Sequence, residues 1–593
     1  MDAVPVKYFV LFFFFFCISR TVFSAAEYFI AGHGDDTADG SRDTPWRSID
    51  HALQKISPGD TLTLFPGTYQ TAGNRLELSG TTLRPVTIRS KPDTTAVITG
   101  IQEKITWQCV CKDKGIYRST QKFAPRFCGM WLTEYDIQLV QYAAYADLSS
   151  DNYTIVSGLP HYIGPGFHLH NDGYVYIRLM QNPHDCEDSS GKKLPPVPKD
   201  TDPAKNAITV FTTHTLFNIR SSSYVIFENI SFAYASYLFD FGENVKNFTF
   251  SNCAFNFGQY GMVLRGTEHF LFHNCAFNNG FPPWLYWCDI KSKDEAKAAP
   301  QFQSFALSGI FSGFSVRYCL FRNTMDSILI ASGSHNVLIM SNIFFRHRDD
   351  CINIDPAVSN VHIQHNIMQE VMAGIAVLGG NSPSAGEVYI HHNIIDASAP
   401  QRGARNGSMR SAKWPRWTTV GPFSAHDSGY RDAWWKVYNN TLIAGPSGYQ
   451  NAGCGPHGVK GNPQKIFINN IVYVKGDRCI YAGEDGADGG LYDGNILFRE
   501  PGGHTPLFYR FYTRQIHTTF DSFRTSAENI WEQNGLYCNP LFSKPVFCTL
   551  PSDFTAVWIS YLPRCRDVFT PGASYEGLNL PHTKNVSYRG AVQ

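Results

Sequence analysis

Three aspartates near the middle of the chain have the residue type and spacing that acid–base chemistry requires. Asp326 precedes Asp350 by 24 residues, and Asp349 lies directly beside Asp350. Carboxylates that are packed closely cannot all ionise at low cost, so one pKa rises and an acid is left beside a base. Cleavage of a glycosidic bond needs this combination, with one carboxylic acid and one carboxylate that acts as base or nucleophile. Asp326, Asp349 and Asp350 are therefore the predicted catalytic residues.

A short repeated phrase between about residues 229 and 498 predicts that these aspartates come together. Each copy has Asn or an equivalent residue, then a small or apolar residue, then large apolar residues. A period near two dozen residues with Asn and Gly turns indicates a β-solenoid, whose coils stack roughly 4.8 Å apart. Eight positions into the repeat, Asp326 and Asp350 then stand in adjacent coils. The copies begin at Asn229, Asn252, Asn274, Tyr318, Asn342, Asn366, Asn393, Asn440, Asn470 and Asn495.

Two long excursions interrupt the repeat close to this aspartate column. They cover residues 281–312 and 397–436, and they leave the coils on either side of the column. Both carry tryptophan, whose flat face binds sugar rings, and exposed aromatic residues in long loops otherwise need an explanation. We predict that part of this set binds substrate, the alternative being that it packs the loops onto the solenoid. The set is Trp284, Trp287, Trp414, Trp417, Trp434 and Trp435.

Charged residues near the aspartates are candidates for binding an acidic sugar. The second excursion is locally basic although the net charge of the chain is zero, which fits a carboxylated or sulfated substrate or, alternatively, a solvated loop. Position four of the repeat adds residues that can bind a uronate carboxylate or tune the acids. The basic residues of the excursion are Arg402, Arg405, Arg410, Lys413 and Arg416; those beside the column are Arg322, Arg346, His347, Arg348 and Glu370.

The rest of the chain indicates a secreted protein with five segments. Residues 1–26 combine a lysine, an apolar run and small residues at a cleavage site, which predicts a signal peptide. Residues 27–100 predict an N-terminal cap with the first coils, and residues 101–205 a small inserted β domain. Residues 206–500 predict the solenoid proper, and residues 501–593 a closing segment.

Composition narrows the expected partners. Zero net charge and 17% charged residues argue against nucleic acid, and no later segment is suited to span a membrane. We expect an extracellular monomer that binds a polysaccharide or glycan. The cysteine count suggests disulfides, although Cys253, Cys275 and Cys319 share one coil position and predict stacked thiols. Six sequons are compatible with N-glycosylation: Asn152, Asn229, Asn247, Asn406, Asn439 and Asn585.

The N-terminal segment resembles the opening of right-handed parallel β-helix proteins of the pectate-lyase-like superfamily. The resemblance lies in a polar loop, a short helix over His51 to Ile56, and the phrases Pro58-Gly59-Asp60 and Pro66-Gly67-Thr68-Tyr69. It implies an all-β, right-handed parallel β-helix with an N-terminal capping helix. The resemblance is specific to the fold and not to a reaction.

A second resemblance concerns the aspartates themselves. Asp349-Asp350-Cys351 is similar to the DDC motif of polygalacturonases, and Asn323-Thr324-Met325-Asp326 is similar to their NTD motif with one residue inserted. The resemblance implies inverting hydrolysis by Asp326, Asp349 and Asp350. The chain departs from that family at its GHG motif, where Met372-Ala373-Gly374 stands, and at its RIK motif. These departures favour a carboxylate site on this face over hydrolysis of pectin itself.

Three functions remain open from the sequence. The first is a glycoside hydrolase that uses the paired aspartates and needs no cofactor. The second is a polysaccharide lyase, in which the carboxylates hold Ca²⁺ and Arg346 or Arg322 removes the C5 proton of a uronate. The third is a non-catalytic glycan-binding protein, in which the aspartates are turn residues. The absence of an obvious calcium spacing favours hydrolysis.

Overall fold

The computed structural model describes most of the chain from residue 25 onward. The described residues are 25–73, 75–92, 94, 96–123, 127–155, 158–291, 305–378, 386–405, 416–426, 434–445, 466–477, 479–483, 491–504, 506–510, 516–526, 531–540, 546–549 and 557–560. Residues 1–24 of the predicted signal peptide and most of the closing segment after residue 540 lie outside them. Within them, no helix is both long enough and apolar enough to cross a membrane.

The chain folds into the predicted right-handed parallel β-helix, whose coils form three walls. Each coil runs along the first wall, turns into the second, turns again into the third, and then begins the next coil. Strands of adjacent coils pair in parallel, for example Val225–Phe227 with Phe248–Phe250, and Ile230 with Ala96 of the preceding coil. The all-β, solenoid prediction is therefore confirmed.

The strand bounds follow this three-wall order. First-wall strands are Glu27–Ile30, Thr61–Leu64, Val86–Ser90, Ser223–Glu228, Lys246–Ser251, His335–Met340, Ser359–Gln364, Glu387–His391, Trp434–Tyr438, Ile466–Ile468 and Leu491–Asp493. Second-wall strands are Gly67–Thr71, Ala96–Gly100, Ile230–Ala233, Ala254–Asn256, Ala276–Asn278, Leu320–Arg322, Ile394–Ala397, Thr441–Ala444, Ile471–Val474, Ile496–Arg499 and Leu536–Tyr537. Third-wall strands are Arg75–Leu76, Thr215–Ile219, Tyr237–Phe241, Ile328–Ile330 and Gly421–His426.

Four long strands bend around a corner and so belong to two walls. Tyr260–His273 and Leu307–Arg317 run from the third wall into the first wall of the next coil. Ile343–Ile354 and Ile367–Leu378 run from the second wall into the third. The last two frame the aspartates, because Asp349 and Asp350 lie within Ile343–Ile354.

In the interior of the solenoid, side chains at equivalent positions of successive coils stack on one another. Phe232, Phe255, Phe277, Phe321 and Phe344 stack face to face in successive coils, with ring centroids 4.6 to 5.4 Å apart. All are buried, and each ring covers its neighbour, so the fold gains both apolar burial and favourable aromatic geometry. This column explains why large apolar residues recur in the repeat.

At the corner between the first and second walls, the asparagine of the repeated phrase occupies two different positions in different coils. Asn252 and Asn274 hold the left-handed conformation of that corner, at φ of 54° and 51°. At Ser341, His365 and His392 the corner residue is another type, whereas Asn439 and Asn469 are again asparagine. From Asn342 onward, a further asparagine stands one position after the corner, in register with Cys319. Asparagine suits both places, as a left-handed residue and as a buried amide, so the repeated phrase alone does not distinguish them.

Inside this corner, asparagine amides form a ladder along the solenoid axis. The Nδ2 of Asn366 donates to the Oδ1 of Asn393 at 3.0 Å, and the backbone N–H of Asn366 donates to the same oxygen. The ladder ends where Asn495 Nδ2 donates to Glu532 Oε1 at 2.6 Å. Its members are Asn342, Asn366, Asn393, Asn440, Asn470 and Asn495. Toward the N-terminus, Cys253, Cys275 and Cys319 continue the column, as predicted, and the described residues contain no disulfide.

Both ends of the described solenoid carry additional elements. At the N-terminal end the predicted capping helix is present as Ile49–Lys55, with Ser48 as its N-cap and Ile49, Ala52 and Leu53 buried. Toward the C-terminus lie the helix Phe520–Arg524 and the strands Tyr481–Gly483, Phe508–Arg510 and Ile516–His517. A further antiparallel pair is Val546–Thr549 with Val557–Ser560.

The inserted β domain consists of two small sheets that leave the solenoid after Gly100 and return before Thr215. One sheet contains Gln102–Glu103, Gly129–Leu132, Ile137–Gln138 and Ile208–Phe211. The other contains Trp107–Cys111, Ile116–Ser119, Val140–Gln141, Gly166–Leu169 and Val175–Arg178. Short helices lie at Thr133–Tyr135, Tyr145–Leu148, Pro183–Asp185 and Pro203–Lys205.

We predict that the interior ladder is a main source of stability. Asn393→Asp replaces an amide that donates to Asn440 and to two carbonyls by an acceptor-only group, leaving buried acceptors unsatisfied. The expected cost is about 2–4 kcal/mol in urea unfolding, increasing with pH as the new carboxyl ionises. Asn360→Asp is the matched control, because Asn360 stacks on Asn336 at the exposed surface. Equal losses in both variants would contradict the prediction.

Candidate active site

The three predicted aspartates meet at the start of the third wall. Carboxylate oxygens of Asp326, Asp349 and Asp350 all lie within 4.8 Å of one another. Ile328 pairs with Ile352, so Asp326 and Asp350 stand two residues before matched positions in adjacent coils. The predicted column therefore exists.

A β-bulge explains how two consecutive aspartates join the cluster. Arg322 pairs with Phe345, whereas six residues later Ile328 pairs with Ile352, so the coil of Asp350 has one extra residue. The same irregularity appears against the next coil, between His347 and Asp350. In a regular strand, neighbouring side chains point to opposite faces, and a bulge re-aims one of them. Tyr318 is a corner residue, whereas Asn342 stands one position after the corner residue Ser341. The extra residue of the bulge cancels this difference of one position. For this reason, counting eight residues from Tyr318 and from Asn342 leads to two aligned aspartates.

A lysine that the sequence analysis missed completes the cluster. Lys291 Nζ lies 2.9 Å from Asp326 Oδ2 and 3.1 Å from Asp349 Oδ2. Its side chain is 28% exposed, whereas those of Asp326 and Asp349 are 1% and 11% exposed. Lys291 is the most exposed of these three side chains. Its ammonium therefore bridges the two carboxylates on the side of the cluster that is partly open to solvent.

Lys291 ends a one-turn helix, Cys288–Lys291, that buried ion pairs hold in place. Arg405 donates to both oxygens of Asp289, at 3.1 and 2.7 Å, and also contacts Asp185 of the inserted domain. The N–H groups of Trp287 and Cys288 donate to backbone carbonyls of the second excursion. Such bidentate, buried pairs have defined geometry, so three distant segments jointly position Lys291.

Burial and mutual charge shift the pKa values of the cluster. Burial, followed by the charges of Asp349 and Asp326, raises the pKa of Asp350 well above its ordinary value. Burial likewise raises the pKa of Asp326, against the opposing charge of Lys291. Burial lowers the pKa of Lys291, but the two carboxylates outweigh it and the net pKa is raised. The cluster thus places a lysine ammonium among buried carboxyl groups, of which Asp326 and Asp350 have raised pKa values.

Three donors surround Asp326. Its Oδ1 accepts from the Asp350 N–H at 3.2 Å and from Asn353 Nδ2 at 3.3 Å, and its Oδ2 accepts from Lys291. Hydrogen bonds to a carboxylate favour its charged form. Tyr260 occupies the same column in an earlier coil, interacts electrostatically with Lys291 and Asp326, and stacks on Tyr237 at 5.1 Å. Aromatic faces therefore extend from the cluster toward the N-terminal coils.

Apolar side chains close the opposite side of the cluster. Met372, Ala373, Cys288, Ala404 and Val420 form a buried group in which the next coil meets both excursions. Met325, beside Asp326, packs into a second group with residues of the inserted domain. These coverings explain why outward-facing aspartates are nevertheless buried.

His347 is not available to a substrate. It is fully buried, stacks edge-on against Phe344, and its Nε2 shares a short hydrogen bond with Ser327, which also bonds Thr324. Burial lowers the pKa of His347 to about 3, so the ring is neutral. The predicted substrate contact is therefore wrong, because the bulge begins after this residue and leaves it facing the interior.

The tryptophans divide between packing and partial exposure. Trp284 packs under the inserted domain and Trp435 packs inside the solenoid, each 3% exposed, so neither offers a face to a sugar. Trp287 and Trp417 are half-buried, and the Arg402 guanidinium lies 4.7 Å over the Trp417 ring. Trp414 and the side chain of Trp434 lie outside the described residues. The packing alternative holds for two of the six.

The basic residues of the second excursion are largely internal. Arg402 and Arg405 are buried and pair with acidic residues that are remote in sequence, so they do not form a solvent-facing patch. Arg416 donates to Tyr286 OH at 2.9 Å. Arg410 and Lys413 lie outside the described residues. Sequence reasoning missed this arrangement because Asp185 and Asp289 come from other segments.

The position-four residues occupy two columns rather than one. Arg346 and Glu370 are stacked and form an exposed ion pair at 3.0 Å. Arg322 pairs in register with Phe345 and binds Asp136 of the inserted domain at 2.9 Å. The phase shift of the repeat causes this difference. Arg348, beside Asp349, contacts Gln401 at 2.7 Å.

Comparison with known proteins supports the fold. A family model described as a right-handed beta helix region matches residues 241–409, and one described as a protein of unknown function (DUF1565) matches residues 32–76. No curated protein matches the sequence. The chain is a right-handed parallel β-helix protein.

Several solved structures are similar at low identity. The complex of XylC with xylose is 12% identical, with a TM-score of 0.45, over 88% of this chain and 87% of that one. Pectate lyase Pel9A is 12% identical, with a TM-score of 0.38, over 96% and 97%. The PL6 family polysaccharide lyase Pedsa3628 from Pseudopedobacter saltans is 12% identical, with a TM-score of 0.34, over 83% and 90%. At this identity the likeness concerns the fold alone.

The raised pKa of Asp350 gives a test of the cluster by stability. Its folded pKa lies above the unfolded value of about 3.9, so its contribution to stability is full below that value and is lost as pH rises toward the folded pKa. Asp350→Asn cannot titrate at this position, so we expect it to lose less stability than the unmodified protein as pH rises above about 4. Urea unfolding at several pH values measures this difference.

Asp188→Asn is the control with the opposite sign. Asp188 is exposed, and hydrogen bonds from Ser190 lower its pKa. Its contribution is lost as pH falls, so its replacement leaves the alkaline side of the profile unchanged. An Asp350→Asn protein with the same pH slope as the unmodified protein would show that Asp350 is ionised in the folded state.

Proposed function

We propose that the protein is a secreted glycoside hydrolase that cleaves a polysaccharide or glycan with the cluster of Asp326, Asp349 and Asp350. The observation that carries this proposal is a cluster of three buried carboxyl groups, two of which contact the Lys291 ammonium. Glycosidic cleavage requires a carboxylic acid and a carboxylate within one site. The carbohydrate names of the similar structures agree with this proposal but do not carry it.

Roles follow from exposure and charge. Asp350 retains its proton and is the general acid that protonates the glycosidic oxygen as the bond breaks. Asp349, the more exposed of the two aspartates that Lys291 contacts, is the carboxylate that faces the anomeric carbon. Lys291 balances its charge, and Asp326 holds the Lys291 ammonium in place. Tyr237 and Tyr260 provide aromatic faces for neighbouring sugar units.

The spacing favours retention of anomeric configuration. Inverting enzymes need about 6.5–9.5 Å between carboxyl groups to hold a water molecule, whereas retaining enzymes use about 5–5.5 Å. Oxygens of this cluster lie within 4.8 Å of one another. Asp349 then forms a glycosyl ester, and ionised Asp350 takes a proton from the water that hydrolyses it. This differs from the inverting route that the polygalacturonase resemblance implies.

The direct test is a screen of the purified protein against neutral, uronic-acid and sulfated polysaccharides. New reducing ends without unsaturated products are the expected result, and proton nuclear magnetic resonance of the first product reports its anomeric form. Asp350→Asn and Asp349→Asn should each lower kcat/KM by at least about 10² because each removes a reacting group. Asp188→Asn is the activity control, since Asp188 lies in an exposed turn of the inserted domain.

A polysaccharide lyase is the second candidate, because the same oxygens also suit a hard cation. Three converging carboxylates are typical ligands of Ca²⁺, with water and a uronate carboxylate as further ligands. Asp326, Asp349 and Asp350 would hold the ion, and displaced Lys291 would be a basic group beside it. Ultraviolet absorbance of unsaturated uronides that depends on added calcium and disappears with a chelator would select this function over hydrolysis. Glycan binding without cleavage, unchanged in Asp350→Asn, would instead favour a binding protein.

Lys291 gives an independent kinetic prediction. Lys291→Met removes the charge that opposes the raised pKa of Asp326, so the pKa of Asp326 rises further. We expect the acidic limb of the kcat/KM profile to move to higher pH and activity at neutral pH to fall by at least about tenfold. A lower rate with an unmoved acidic limb would contradict this role. Lys205→Met, which removes an exposed ion pair, controls for loss of a lysine.

A further inference from the structure

We infer that a pocket beside the aspartate cluster binds one anionic unit of the substrate, through the guanidinium of Arg348. This inference rests on the proposed function, because it names the substrate class of the same site. The pocket has a volume of about 300 Å³ and lies where the inserted domain, the first excursion and the solenoid meet. Its lining comprises Tyr135, Asp136, Ile137, Phe281, Pro283, Asn323, Arg346 and Arg348.

Arg348 has no ion-pair partner within the described part of the chain. Its Nη1 donates to the neutral amide oxygen of Gln401, and no described carboxylate lies within ion-pair distance of it. Burial, followed by the positive charges of Arg402 and Arg346, lowers its pKa to about 10 against the opposing charge of Glu370. A half-buried cation without an ion-pair partner is costly, and an anionic ligand would reduce that cost.

The other charges on the pocket wall are already paired. Asp136 binds Arg322 and accepts from Asn278 at 2.8 Å, so its charge is not available to Arg348. Arg346 binds Glu370 in a pair whose side chains are 58% and 40% exposed, which is the weak, exchangeable kind. The exposed side of Arg346 also marks the opening of the pocket to solvent. The pocket wall therefore presents the positive charge of Arg348, and Arg346 can add a second positive charge if its ion pair with Glu370 opens.

Size and shape fit a sugar ring. The volume is at the small end of ligand pockets, which suits one monosaccharide unit. Tyr135 supplies aromatic surface for a ring, and Asn323 supplies an amide. Phe281 is only 5% exposed and lies under the Arg348 guanidinium, 5.9 Å from its ring centroid. Arg348 directly precedes Asp349, so a unit held in this pocket is next to the bond that the cluster would cleave. The planar guanidinium matches a carboxylate or sulfate in a two-point contact.

The experiment measures binding and not cleavage, so it is independent of whether the proposed reaction occurs. Asp350→Asn protein is titrated calorimetrically with methyl glucuronide, methyl galacturonide, glucose 6-sulfate and methyl glucoside. We expect at least one acidic sugar to bind at least about tenfold more tightly than methyl glucoside, with affinity that falls as salt is raised. The carboxylate and sulfate arms identify which anion the pocket prefers.

Arg348→Gln in the same background should reduce the affinity for the acidic sugar at least about tenfold, to the level of methyl glucoside. Arg75→Gln is the control, because Arg75 forms an exposed ion pair with Glu77. Equal binding of acidic and neutral sugars overturns the inference without any Arg348 variant, so a variant that fails to fold does not protect it. Full affinity for the acidic sugar in folded Arg348→Gln protein overturns it as well.

Discussion

The register between coils is the constraint on which the rest of this structure depends. Tyr260, Asp326 and Asp350 are positions in one column, and a column exists only if each coil stands directly above the last. The amide ladder from Asn342 to Asn495 fixes that alignment from inside, because each Oδ1 accepts from both the backbone and the side chain of the coil before. A slip by one residue would break two hydrogen bonds in every coil and expose buried amides to apolar neighbours.

Against this regular frame, the aspartate cluster is a local exception with an identifiable cause. One extra residue between His347 and Asp350 turns an interior position into an outward one, while the ladder and the phenylalanine stack keep their register on both sides. The frame therefore absorbs the bulge, and the bulge concentrates three carboxylates that a regular strand would separate. Lys291, which the ion pair of Asp289 and Arg405 holds in place, then compensates their charge from outside the solenoid.

The sequence predicts the frame well because the frame is periodic. Asparagine, phenylalanine and cysteine at matching positions report the interior directly, and the column of Asp326 and Asp350 follows from the period. The sequence predicts poorly how the excursions and the inserted domain cover the aspartates, because Lys291, Asp289 and Asp185 lie in segments without a repeat. The spacing of Arg402 and Arg405 does not show that their acidic partners lie more than a hundred residues away. From the sequence alone, this buried ion-pair network therefore has the pattern of an exposed basic loop. His347 fails for another reason, since a bulge cannot be located by counting.

The excursions and the inserted domain that cover the aspartates also determine which chemistry the aspartate column can perform. On a bare solenoid these aspartates would face water, their charges would be screened, and all would ionise at neutral pH. Burial under both excursions and the inserted domain instead raises the pKa values of Asp326 and Asp350, and the Lys291 ammonium opposes that rise. The same segments leave an opening beside Arg346 and Arg348, where charge remains unbalanced. The solenoid thus supplies alignment, whereas the acidity of the site and its preference for anions arise from the appended segments.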